Sequence, residues 1–365
     1  MSINNRKKET NTNNQLNHKT TQKLSIENSH SDHNDSQMFA PQKHRLFDKK
    51  HFNYLMNNRG QTFKKNVTDV FNLKNDNGYR DLKPATNNLL GKLKTLSFSY
   101  PNCADFLSFV EKNVALAFYN EFREITIPPI LLVGQPGIGK TAVIRKLVAL
   151  MNMKYTQIDC ATVSAGFVIS GASSNWKDGK PGVIANTLRD SEFANPFIVF
   201  DEIEKMNGAR EYDPYGSLYT LFEEDSAKSF KDEFIPDLSF DASKVNFIAT
   251  ANSIETIPEP ILSRLTVIQI DSLEKEQAET VVKSIYKDLR ANIHHNARFS
   301  DTLRDDIIEE LSFYTPREMK QALKRGLANA AYRFSCYKTN KLIKLHPLDI
   351  GHVEQKQDNP IGFVW

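Results

Sequence analysis

The chain has 365 residues, 40% hydrophobic and 25% charged, which suits a soluble globular protein of one large domain or two modest ones. A net charge of +3 does not by itself argue for nucleic acid. No apolar run approaches bilayer length, and the start MSINNRKKETNTNNQ has basic residues with no apolar core behind them. No membrane or secretory route is therefore expected, and a cytoplasmic location follows. Cys103, Cys160 and Cys336 stand far apart without CxxC spacing, which points to buried thiols rather than disulfides or zinc.

Residues 1–60 are rich in Asn, Lys, His, Gln and Ser and read as a disordered polar tract, too poor in apolar surface to offset ordering entropy. His30 and His33 read as solvated; a basic tail touching nucleic acid is a second reading of the tract. Residues 61–125 form a helical segment, with an amphipathic helix over Asp105–Ile125 ended by Pro128 and Pro129. In 126–272, strand runs Ile130–Val133, Tyr155–Asp159, Phe197–Phe200, Val245–Ala249 and Val267–Ile270 alternate with helical stretches Lys140–Leu150, Gly182–Phe193 and Tyr215–Glu224. This alternation implies an α/β fold class: a parallel sheet sandwiched by helices. Residues 273–345 follow as a small all-helical lid, with helices over 274–291, 301–313 and 316–334 and a strand-like run at Leu342–Leu345. Residues 346–365 form a tail.

GQPGIGKT, Gly134–Thr141, lies between the first strand run and a helical stretch, the context a phosphate-binding loop requires. The backbone of Gly134, Gln135, Pro136, Gly137, Ile138, Gly139, Lys140, Thr141 and Ala142 is read as the cradle, its N–H groups and the helix N-terminus facing phosphate oxygens. Lys140 reaches the β- and γ-phosphates and the Thr141 hydroxyl suits Mg²⁺. NPFIVFDEIEK sets Asp201 and Glu202 at the end of a buried strand, Asp201 for the metal and Glu202 to polarise the attacking water. VNFIATANS ends another strand on Asn252, a neutral amide able to orient that water. IPEPILSRL carries Arg264, an arginine able to neutralise transition-state charge; an ordinary surface salt bridge is its other reading. Thr315 and Glu318 form a capping box with Pro316 behind it, which fixes Arg317 in the first turn of a lid helix.

In this order the motifs resemble an AAA+ ATPase over about residues 125–335, and SGASSNWKDGKPG, DPYGSLYTLFEED and FKDEFIPDLSFDASKVNFIATANSIETIPEPILSRL resemble the ATPase part of Lon-type proteases. The resemblance implies Walker A at Gly134–Thr141, Walker B at Asp201 and Glu202, sensor 1 at Asn252, an arginine finger at Arg264 and a sensor 2 arginine at Arg317. It also implies ATP and Mg²⁺ as cofactors and a hexameric ring in which the finger serves the adjacent subunit. Trp176 takes the place of the pore-loop aromatic, with Phe167 and Val168 as secondary candidates; packing against a helix is its other reading. After the lid only a short tail follows, ending DNPIGFVW, so no peptidase domain is expected. Three functions follow from this reading: a motor remodelling protein clients, a nucleic-acid-associated loader or transposition helper, and a switch that binds nucleotide without hydrolysis. Absence of a helix-turn-helix or zinc module weighs against the second, and Glu202, Asn252, Arg264 and Arg317 together against the third.

Overall fold

The computed structural model describes residues 43–71, 78–120, 123–163, 166–206, 213–337 and 342–351. Its strands are β1 (Lys43–Arg45), β2 (Tyr79–Asp81), β3 (Ile130–Val133), β4 (Tyr155–Asp159), β5 (Phe197–Asp201), β6 (Phe230–Lys231), β7 (Ser239–Phe240), β8 (Asn246–Ala251) and β9 (Thr266–Gln269). Five of them make one parallel sheet in the order β4-β5-β8-β3-β9. Side chains alternate across a strand, and in the inner strands β3, β5 and β8 both faces are buried, which is why their segments are largely apolar. The edge strands β4 and β9 are partly exposed. Leu131, Ile198, Phe200, Phe247 and Ala249 point to one face, beside helices Val183–Asp190 and Gly216–Leu221. Ile130, Leu132, Phe197, Val199 and Ile248 point to the other, beside helices Lys140–Met151, Asn87–Ser99 and Ala104–Ala117.

Register positions the functional ends. Val133 pairs with Ala251, and Phe200 with Ala249, so the loop after β3, the end of β5 and the end of β8 emerge along one edge. Two buried asparagines stitch the approach to β3 onto that sheet. Asn195 accepts from the Lys83 amide at 2.8 Å and donates to the Ile125 carbonyl at 2.8 Å. Asn246 accepts from the Ile127 amide and donates to the Asn195 carbonyl.

The segment before the sheet corrects one expectation. The polar tract was expected to reach residue 60, yet β1 pairs with β2 and Lys49–Asn58 is a helix capped by Asp48, whose carboxylate accepts from the His51 amide. Leu46, Phe47 and Leu55 are buried in the same core as Phe200 and Phe247, with Phe52 and Met56 packed beside them. These few apolar residues share one face, and a low overall apolar density conceals such a face. Residues 1–42, with His30 and His33, lie outside the described residues. The helix expected over Asp105–Ile125 is shorter, ending at Ala117.

Helices Lys275–Ala291, Asp305–Leu311 and Pro316–Tyr337 enclose a separate core around Val282, Tyr286, Ile307, Leu311, Met319 and Leu323. The strand-like run at 342–345 contributes one bridge, Ile343 with Phe299. Pro347–Ile350 is a further helical turn of this lid rather than part of a tail. Asp349 pairs with Arg333 at 2.5 Å, and Ile350 is buried. Residues 352–365 lie outside the described residues. Cys103 and Cys160 are free buried thiols, and burial pushes Cys103 up to about 12. The Cys336 side chain is not described. No described helix is long and apolar enough to cross a membrane.

Leu55→Ala tests the revised N-terminal boundary. Truncating this buried side chain should cost about 2–5 kcal/mol of unfolding free energy. An unchanged urea midpoint would return residues 43–58 to the disordered tract.

Candidate functional site

β3 delivers the chain into Gly134, whose amide donates to the Ala251 carbonyl at 3.1 Å, tying the loop to the end of β8. Gly139 turns the loop into the helix with φ of +108°, a left-handed conformation that a side chain would strain. It caps helix Lys140–Met151 without a side-chain hydrogen bond, which leaves first-turn N–H groups available to an anion.

Lys140 is 7% exposed, and its ammonium donates to the Gly134 carbonyl, to the Gln135 carbonyl at 3.0 Å and to Asn252 Oδ1 at 3.1 Å. Burial lowers its pKa, while Glu204, Asp201 and Glu202 act the other way. The cation is thus poised where three carboxylates want it and where phosphate oxygens can compete for its protons.

Asp201 joins three elements. Its Oδ1 accepts from Thr141 at 2.8 Å and from Thr250 at 2.6 Å, and its Oδ2 from Gln157 at 2.7 Å. The next residue, Glu202, has φ of +57°, and its amide donates to Thr250 Oγ1 at 3.0 Å. A non-glycine residue held in this region costs about 1–3 kcal/mol and persists where its surroundings over-determine it. The Glu202 carboxylate accepts from Lys205 at 2.6 Å, which is the main reason its pKa lies below the ordinary carboxylate value.

Asn252 stands between these groups. Its side-chain amide donates to Glu204 at 2.9 Å and, more weakly, to Glu202 at 3.5 Å, and its backbone amide donates to the same Glu204 oxygen at 3.0 Å. The other Glu204 oxygen is buried with no hydrogen-bond partner.

The lid reaches the loop through its capping box. The Thr315 amide donates to Glu318 at 2.8 Å and the Glu318 amide to Thr315 Oγ1 at 3.4 Å. The Arg317 amide then donates to the Gly137 carbonyl at 3.3 Å, so the first turn of that helix rests on the phosphate loop.

Lys140, Thr141, Asp201, Glu202 and Asn252 are therefore one hydrogen-bonded cluster, with Arg317 docked on its loop. Arg264 makes its contacts elsewhere: with the Pro260 carbonyl at 2.7 Å, Glu223 at 3.4 Å and the Tyr219 ring at 6.0 Å. Trp176 lies on a loop at the surface and is 54% exposed, against the reading in which it packs on a helix. Gln157, Thr250 and Glu204 escaped the sequence reading. Thr250 is two residues before Asn252 in β8, and period-two alternation puts both on one face, a signal that was legible. Glu204 is placed by the short 3₁₀ turn Ile203–Lys205, which no periodicity announces.

Thr250→Val keeps the shape and removes the hydroxyl. Leaving the Glu202 amide and Asp201 short of a partner should cost about 1–3 kcal/mol in urea unfolding. A loss near zero would mean that Thr250 does not hold this corner together.

Comparison with known proteins agrees with this geometry. The profile of the ATPase family associated with various cellular activities (AAA) matches residues 130–272. The Lon protease of Clostridioides difficile is 33% identical over 168 residues, covering 46% of this chain and 21% of that protein. The Lon protease of Mycoplasma mycoides subsp. mycoides is 30% identical over 224 residues, covering 60% and 28%. The chain thus spans under a third of the length of these relatives. Among solved structures, a closed-state reconstruction of Hsp104 with ATPγS and casein superposes with a TM-score of 0.56 at 16% identity, covering 70% of this chain and 50% of that one. The Saccharomyces cerevisiae Hsp104–ADP complex gives 0.54 at 16% identity, covering 70% and 40%. At such identity these two speak for the fold alone. The sequence matches and the clustered site agree on one conclusion: the chain carries an AAA ATPase module, Lon-like in sequence, with a helical lid on its phosphate loop.

Proposed function

We propose that the chain hydrolyses ATP as a motor, assembles into a ring of six, and uses the cycle to pull on protein clients in the cytoplasm. The observation that carries the proposal is the cluster of Lys140, Thr141, Asp201, Glu202 and Asn252 with the lid helix seated on Gly137. A simple nucleotide-binding scaffold needs the loop and the lysine. It does not need a strained glutamate beside an oriented amide.

The loop amides from Gly134 to Ala142 hold the phosphates, and Lys140 exchanges carbonyl partners for β- and γ-oxygens. Thr141 and Asp201 offer a hydroxyl and a carboxylate side by side, hard oxygen donors that fit Mg²⁺. When bound, that ion would neutralise charge developing on the transferred phosphoryl group. Glu202 takes up the proton of the attacking water once it releases Lys205. Asn252, braced by Glu204, fixes where that water sits. Arg317 reports from the lid, so that hydrolysis and lid position are coupled.

Arg264 supports the ring. Its contacts lie with Tyr219, Glu223 and Pro260 instead of its own phosphate loop, which suits a guanidinium offered to the neighbouring copy. Trp176, exposed on its loop, is read as the side chain that grips an extended client. The nucleic-acid reading drew on residues 1–60, of which 43–58 pack against the module instead of forming a free basic tail.

Glu202→Gln should keep ATP affinity and slow phosphate release by about 10²–10⁴-fold. Normal turnover in that variant would remove Glu202 from the chemistry. Arg264→Ala should lose about 10³–10⁵-fold. Mixing it with Lys140→Ala, inactive alone for want of phosphate binding but still offering Arg264, should restore hydrolysis. A mixture as inactive as its parts would exclude action between subunits. Trp176→Ala should hydrolyse ATP but fail to remodel a loosely folded protein; full remodelling would end the gripping role.

A further inference from the structure

The loop that bears Trp176 is closed at its base by a carboxylate from a different part of the chain. Asp232 follows β6 directly and is completely buried. Its Oδ2 accepts from the Gly182 amide at 2.9 Å and its Oδ1 from the Phe234 amide at 2.9 Å. Gly171, at the other end of the loop, has φ of +88°, and a Cβ there would collide with Asp232 Oδ1. A Cβ on Gly182 would run into the Gly171 nitrogen and the Ile169 carbonyl. The two ends of the loop and this carboxylate thus form one tight neck, bridged again where the Ala172 amide donates to the Lys180 carbonyl at 2.8 Å. Beyond the neck, Trp176 projects into solvent.

The carboxylate is itself braced. The Glu233 amide donates to the Ser170 carbonyl at 2.7 Å, and β6 pairs with β7. The N-terminal segment holds that hairpin from outside through Arg59 with Asp237 at 2.7 Å and the Asp241 amide with the Leu46 carbonyl at 2.7 Å. On the other side, Gly182 opens helix Val183–Asp190, whose Ile184 and Leu188 share a core with Ile198 and Phe200 of β5. That strand ends at Asp201. Packed elements thus connect the Asp201 cluster to the neck.

We propose that Asp232 is the positioning residue of the Trp176 loop: by gripping the Gly182 amide against Gly171 it fixes the neck, so that shifts of β5 and its helix reach the aromatic tip. The inference rests on the gripping role proposed above for Trp176. The two amides reach different oxygens of the carboxylate, and an asparagine would set an NH2 donor against one of them. Burial pushes the Asp232 carboxyl up to about 6, a burden that the two amide hydrogen bonds partly relieve. Such a cost suits a group kept for geometry and not for stability.

The chain has two tryptophans, so Trp365→Phe leaves Trp176 as the only tryptophan, excited selectively beyond the tyrosine absorption band. In that background Asp232→Asn should increase the rapidly depolarising fraction of Trp176 fluorescence. In the unaltered background Asp232→Asn should reduce remodelling of a loosely folded protein to the level of Trp176→Ala. Unchanged anisotropy in folded Asp232→Asn, alongside a defective Trp176→Ala, would overturn the inference and leave the gripping role intact. A normal Trp176→Ala would instead overturn the gripping role, and the positioning inference with it. Should Asp232→Asn not fold, hydrogen exchange on the unaltered protein decides. The Gly182 amide should be protected like those of helix Val183–Asp190, and exchange as fast as Lys177 and Asp178 at the tip would overturn the clamp.

Discussion

The Asp201 carboxylate is the interaction on which the rest of this site depends. It sits at the end of β5 and receives hydrogen bonds from the phosphate-loop helix (Thr141), from β4 (Gln157) and from β8 (Thr250). Three elements distant in sequence are thereby joined at one end of the sheet. Remove that junction and the loop, the strained Glu202 and Asn252 lose their common reference.

Around it the charges are matched but not relaxed. Lys140 faces Asp201, Glu202 and Glu204, and its own burial works against its charge. Glu202 is held by Lys205, and the side-chain amide of Asn252 is shared unequally between Glu204 and Glu202. In the proposed cycle each of these contacts would be traded for one with a triphosphate or its attacking water, one charge-assisted hydrogen bond for another of the same kind.

Mechanical connection follows from packing more than from charge. The lid touches the phosphate loop through the first turn of its longest helix, and Lys146 pairs with Asp288 across the same boundary at 2.6 Å. On the opposite side, Leu46 and Phe47 after β1 and Leu55 of helix Lys49–Asn58 fill part of the core that also holds Phe230 and Phe240 of the β6–β7 hairpin. The segment preceding the family-matched region thus belongs to the support of the loop that bears Trp176.

How much of this was legible depended on range. The strands of the parallel sheet, the phosphate loop, Asp201, Glu202, Asn252 and the capping box before Arg317 could be read from sequence, since each is written in contiguous residues with a period or a spacing that physical chemistry demands. The short pairs β1–β2 and β6–β7 could not. The helix at Lys49–Asn58 was hidden because its few apolar residues gain meaning only against a partner surface. Glu204, Gln157 and Asp232 act on residues 44–50 positions away, and nothing local marks them. Thr250 acts 49 positions away, and its alternation with Asn252 is the one local mark it carries. The sequence alone determined a parallel α/β module with a phosphate-binding loop and a helical lid. Only tertiary structure decided which carboxylates brace which amides, because that choice is made by strand register and by burial, neither of which a one-dimensional pattern contains.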